Sequence, residues 1–96
     1  MRRSNTEPIK NIISQFLKEN NIDKRLDEQE MIRLWYEVTG RMVARATQSV
    51  EIRNRKMFVK LSSSVVRNEL SMIRDGLIKE LNNHFDAPLI DDIILR

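Results

Sequence analysis

Histidine occurs once in the chain, as His84, and cysteine not at all. A lone imidazole cannot complete the N and S donor set of a structural zinc site, and no neighbouring nucleophile awaits its activation. His84 therefore reads as a helix-terminus or solvent residue. Asp91 and Asp92 are adjacent, and on a strand adjacent side chains leave opposite faces, so they cannot share a proton or a metal. They read as edge charges. Gly40 and Gly76 stand 36 residues apart, which excludes a glycine-rich phosphate cradle. Ser62, Ser63 and Ser64 precede an apolar stripe and suit helix capping better than nucleophilic attack. The sequence thus predicts a binding protein and no enzyme, with no cofactor, no metal and no small-molecule substrate.

The cations tell more. Between Arg41 and Arg74 lie eight basic residues and two acids, whereas the remainder is acidic, within a net charge of +3. Such asymmetry suits a molecule that turns one face to an anionic polymer. The candidate phosphate contacts are Arg41, Arg45, Arg53, Arg55, Lys56, Lys60 and Arg67, which would position a nucleic acid without reading its sequence. Phe58 alternates out of phase with Met57, Val59 and Leu61, beside Lys60. An exposed aromatic between cations can stack a base while its phosphate is held; helices covering both sheet faces would bury it instead.

The elements that must position these residues follow from periodicity. Thr6 caps a first helix in whose first turn Glu7 and Pro8 stand, with Ile9, Ile12, Ile13, Phe16 and Leu17 on one stripe and Asn20-Asn21 at its end. Asp27 with Glu30 resembles a capping box opening a second helix along Met31, Leu34, Trp35, Val38 and Met42. Trp35 reads as its core anchor. Gly40 can take a left-handed cap conformation, after which Arg41 to Ala46 continues as a short helical turn in a new direction, Arg41 and Arg45 sharing a face. The period then drops to two: Gln48 to Arg53 is a strand with Val50 and Ile52 inward, joined through Asn54-Arg55 to a second strand around Met57, Val59 and Leu61. A long third helix carries Val66, Leu70, Ile73, Leu77, Leu81 and Phe85 through Gly76, which costs about 1 kcal/mol without breaking it. It stops at Asp86-Ala87-Pro88. Leu89 to Leu95 is a last strand. The expected architecture is α+β in the order α-α-β-β-α-β, with a three-stranded sheet packed against helices.

Ninety-six residues with 41% hydrophobic and 32% charged side chains make one domain spanning 1–96, with residues 1–5 flexible. Apolar runs never exceed three residues, so neither a membrane span nor a signal peptide is expected. Absence of cysteine fits a reducing compartment, and the cytoplasm is the expected location.

Three segments together resemble a known family: Leu34-Trp35-Tyr36-Glu37-Val38-Thr39-Gly40, then Val43-Ala44-Arg45-Ala46-Thr47, then Phe58-Val59-Lys60-Leu61 with Ser62-Ser63-Ser64-Val65-Val66-Arg67-Asn68-Glu69-Leu70. The pattern, spanning about Ile9 to the C-terminus, is similar to the DciA-like family, formerly a domain of unknown function. The resemblance implies a KH-like fold and a role in bacterial DNA replication, where members bind DNA and the replicative helicase and help load it. Two departures stand out. The chain lacks the Gly-x-x-Gly loop by which KH domains clamp nucleic-acid backbone, and it lacks the extended tail of longer members, on which helicase contacts could depend.

The leading expectation is therefore a nucleic-acid-binding accessory of replication that resembles a helicase loader, partnered by single-stranded or duplex DNA and by the replicative helicase. RNA binding and a protein-interaction adaptor without nucleic acid are the alternatives.

Overall fold

The structure, a computed structural model, describes residues 22–96. The helix expected from Thr6 lies outside them. The described order is α1 (Ile22–Ala46), β1 (Thr47–Arg53), β2 (Lys56–Leu61), α2 (Ser64–Met72), α3 (Arg74–Asn82) and β3 (Asp92–Leu95). The architecture is α+β.

Met31, Leu34 and Trp35 form the buried stripe of α1, at 0, 4 and 0% exposure. Asp27 was expected to begin this helix but lies inside it. No Gly or Pro separates Ile22 from Asp27, so nothing interrupts the helix upstream. Gly40 does interrupt it downstream, giving the expected change of direction: with φ 91° and ψ 178° it kinks α1 into two limbs through an extended positive-φ conformation and not a left-handed helical cap. The kink resets the helical phase. Met42, expected on the core stripe, is 73% exposed, and Val43 packs against the core in its place.

Thr47 ties the second limb to the first. Its Oγ1 accepts from Trp35 Nε1 at 3.1 Å and donates to the Val43 carbonyl at 2.7 Å. From there β1 runs antiparallel to β2, pairing Val50 with Val59 and Ile52 with Met57. The hairpin turns on two residues of positive φ, Asn54 at 50° and Arg55 at 64°, the primed geometry that matches strand twist.

The long third helix proves to be two. Ile73 leaves the helical region at φ −114° and ψ 15° and is 54% exposed rather than part of the core. The break lets α2 lie on β2 and β3 while α3 turns against α1 and β3, which one straight helix could not do. The helix also ends at Asn82, short of Phe85. Asn82 donates from Nδ2 to the Ile90 carbonyl at 2.9 Å and accepts the Leu89 and Ile90 amides at 3.0 and 3.2 Å. Those amides are thereby diverted from strand pairing. The last strand consequently starts at Asp92 instead of Leu89, and runs parallel to β2 in a mixed sheet of order β1-β2-β3.

Met57, Val59, Leu61 and Ile93 share one buried cluster with Trp35 of α1, Val66 of α2 and Leu81 of α3. All three described helices therefore cover the same sheet face. On the opposite face no described residue is buried. No described helix is long and apolar enough to cross a membrane.

Candidate nucleic-acid interface

Strand alternation assigns the residues of the face that no described helix covers. Lys56, Phe58 and Lys60 of β2 stand beside Arg53, Glu51 and Ser49 of β1, and beside Asp92 and Ile94 of β3. Arg96 follows in the same alternation. Its N–H donates to the Val59 carbonyl at 3.0 Å, and its carbonyl accepts from Leu61 N at 2.7 Å.

Phe58 is the centre of this face. The Arg53 guanidinium lies 4.2 Å from the ring centroid and that of Arg96 lies 5.2 Å away, both within cation–π range. The ring is half-buried, its exposed side shared with these two cations. Arg53 also approaches Glu51 at 3.3 Å. Since both partners are more than half exposed, solvent screens that pair strongly. Lys56 and Lys60 are exposed, so the face presents four cations against the carboxylates of Glu51 and Asp92.

Four of the eight expected residues, Arg53, Lys56, Phe58 and Lys60, are thus brought together. Arg55 is placed otherwise. Its guanidinium reaches Asp91 at 2.9 and 3.0 Å and the Pro88 carbonyl at 3.1 Å, so it fastens the hairpin to the segment before β3. The two hydrogen bonds from Arg55 hold the Asp91 carboxyl below its ordinary range. Arg41 and Arg45, both exposed, belong to the second limb of α1 in the helical layer. Arg67 of α2 lines a separate groove at the β3 edge with Arg74. Arg96 was not among the residues expected from sequence. Its signal, continuation of the β3 alternation, becomes legible only when β3 is known to lie parallel beside β2.

His84 follows α3 and lies 3.8 Å from Glu80. No three His, Cys, Asp or Glu side chains cluster as metal ligands among the described residues.

The model of a family described as Dna[CI] antecedent, DciA, matches residues 8–95. The chain belongs to the DciA family. That family is associated with helicase loading in replication. The match covers every residue of the cationic face except Arg96, and it covers both limbs of α1. No curated protein and no solved structure matches the chain.

Proposed function

We propose that this DciA family member is a non-enzymatic, cytoplasmic nucleic-acid-binding accessory of bacterial DNA replication, and that the sheet face opposite the described helices is its binding surface. One observation carries the reading: Phe58 lies between the guanidiniums of Arg53 and Arg96 on a face that no described helix covers. Guanidinium planes stack bases as aromatic rings do, and they pair with phosphates at the same time. Lys56 and Lys60 extend the positive field along β2. We read the helix and strand arrangement as KH-like, in a single domain over 1–96. With no Gly-x-x-Gly loop in the chain, backbone contacts fall to the sheet cations.

Such a surface favours single strands, whose bases can reach the face, over duplex. Fluorescence anisotropy with labelled DNA and RNA single strands and a duplex of equal length tests this at low salt. Single-strand binding that weakens linearly in log salt is expected. No binding by the wild type at low salt would overturn it.

The adaptor reading has one observation in its favour. A groove of about 190 Å³ between α1 and the α2–α3 pair is lined by Val38, Val43, Val66, Leu70 and Leu77, with Met42 and Ile73 exposed at its rim. A protein partner such as a replicative helicase could bind there without nucleic acid.

A further inference from the structure

We propose that the groove between α2 and the edge of β3 is a phosphate-binding site that receives a backbone phosphate of the strand bound at Phe58. The inference rests on the nucleic-acid reading above and locates a second contact for that ligand.

Ser64, Arg67, Asn68, Ser71 and Arg74 line the groove, with Leu95 of β3 opposite, around about 330 Å³. Their spacing of three and four residues aligns them on one face of α2, prolonged by Arg74 beyond the break. Every helical contributor is polar, and none is acidic. Arg67 Nε is buried there without a hydrogen-bond partner among the described residues. The same guanidinium meets the Leu61 carbonyl only at 3.5 Å through Nη2. A buried donor without a partner is exceptional in a folded protein. Two guanidiniums, the Ser64 hydroxyl and the Asn68 amide are the donor set of an oxyanion with several acceptors, which phosphate is, while the Ser71 hydroxyl already donates to the Asn68 carbonyl at 2.6 Å. One carboxylate competes: Asp92 Oδ1 lies 4.0 Å from Arg74 Nε, and it also accepts the Ile93 amide at 2.8 Å.

The backbone joins this groove to the sheet face. Arg96 directs its N–H and C=O inward to β2, so those of Leu95, one position earlier, face the other way, towards the groove. Leu95 lines the groove while Arg96 flanks Phe58. Phe58 on β2 stands one strand spacing, about 5 Å, from β3, whose outer edge bounds the groove. A strand whose base lies at Phe58 can turn over β3 and leave its next phosphates between Arg67 and Arg74.

Free phosphate monoesters share this chemistry, so the test has two arms. In the first, inorganic phosphate is titrated into ¹⁵N-labelled full chain. Saturable shifts confined to the amides of Ser64, Asn68, Ser71 and Leu95 are expected. Arg74→Ala, on an exposed side chain, should weaken them about tenfold, one charged hydrogen bond's worth. Asp92→Asn, which keeps the acceptor for Ile93, should tighten them. Shifts that spread over all surface cations without saturating, or that ignore Arg74→Ala, overturn the site. In the second arm a single-stranded oligonucleotide replaces phosphate. Shifts at both Phe58 and the groove amides support the proposal, with the log K against log salt slope shallower by about 0.7 in Arg74→Ala. Shifts at Phe58 alone overturn the groove while the sheet reading stands. Saturation by phosphate with no oligonucleotide response anywhere assigns the groove to free phosphate, and overturns both the backbone source and the sheet reading.

Discussion

Arg55 and Asp91 meet in a fork-to-carboxylate ion pair across 36 positions of sequence, Nε to Oδ2 at 3.0 Å and Nη2 to Oδ1 at 2.9 Å. The pair links the hairpin turn to the approach of β3. It also explains why an arginine, rather than glycine, occupies a position with φ 64°.

Acid should loosen this link. The Arg55 hydrogen bonds depress the Asp91 pKa in the folded state, so the contribution is fully present above the unfolded value near 3.9 and is lost as pH falls through the folded value. Glu30, held down by Arg33, follows the same sign. Thermal midpoints of wild type and Asp91→Asn should differ at neutral pH and converge as pH falls through the depressed folded-state value of Asp91. Curves that stay parallel throughout would show that the ion pair contributes nothing.

Trp35 is fully buried and donates its indole N–H to Thr47 Oγ1. Trp35→Ala should cost about 3–5 kcal/mol in urea unfolding. Trp35→Phe fills most of the volume and loses the hydrogen bond, for about 1 kcal/mol beyond the repacking cost. Near-native stability of the alanine variant combined with loss of partner binding would move Trp35 from the core to an interface.

Gly40→Ala separates space from conformation. An added methyl would meet no atom within 4 Å, yet φ 91° with ψ 178° is a region open almost only to glycine. The substitution should therefore destabilise by about 1–3 kcal/mol, or straighten α1 and swing its second limb. Denaturant midpoints with helical circular dichroism read both outcomes; an unchanged midpoint and spectrum would contradict the strain.

On the sheet face, stacking and charge have different signatures. Phe58→Ala should weaken single-strand binding by about 1–3 kcal/mol and leave the salt slope unchanged. Arg53→Ala with Arg96→Ala should flatten that slope by about 1.4. Binding titrations at several salt concentrations distinguish them. A double arginine variant with the wild-type slope removes this face from the interface.

Much of this arrangement was legible in the sequence because it is local. The two-residue turn at Asn54-Arg55, the inward set Met57, Val59 and Leu61, the burial of Trp35 and the bend at Gly40 all follow from period and backbone preference. Non-local facts were not legible. The apolar stripe of Val66, Leu70, Leu77 and Leu81 is continuous in phase, and only packing against two different partners reveals the break at Ile73. Asn82 gave no sign that its side chain would take the amides of Leu89 and Ile90 and shorten the last strand. For the binding face, Phe58, Lys56 and Lys60 come from alternation along one strand. Arg96 needs the parallel pairing, and the diversion of Arg55 needs the position of Asp91.

The parallel ladder also predicts an order of assembly for the molecule. β1 and β2 close through two residues, whereas β3 reaches β2 only after the chain has passed through α2 and α3, and such distant pairings form late because their loop-closure entropy comes due first. A chain in which β3 had not yet paired would carry Phe58 with Arg53 beside it but lack Arg96. A ligand that grips both guanidiniums binds the finished state alone, and by mass action it draws the last strand into place.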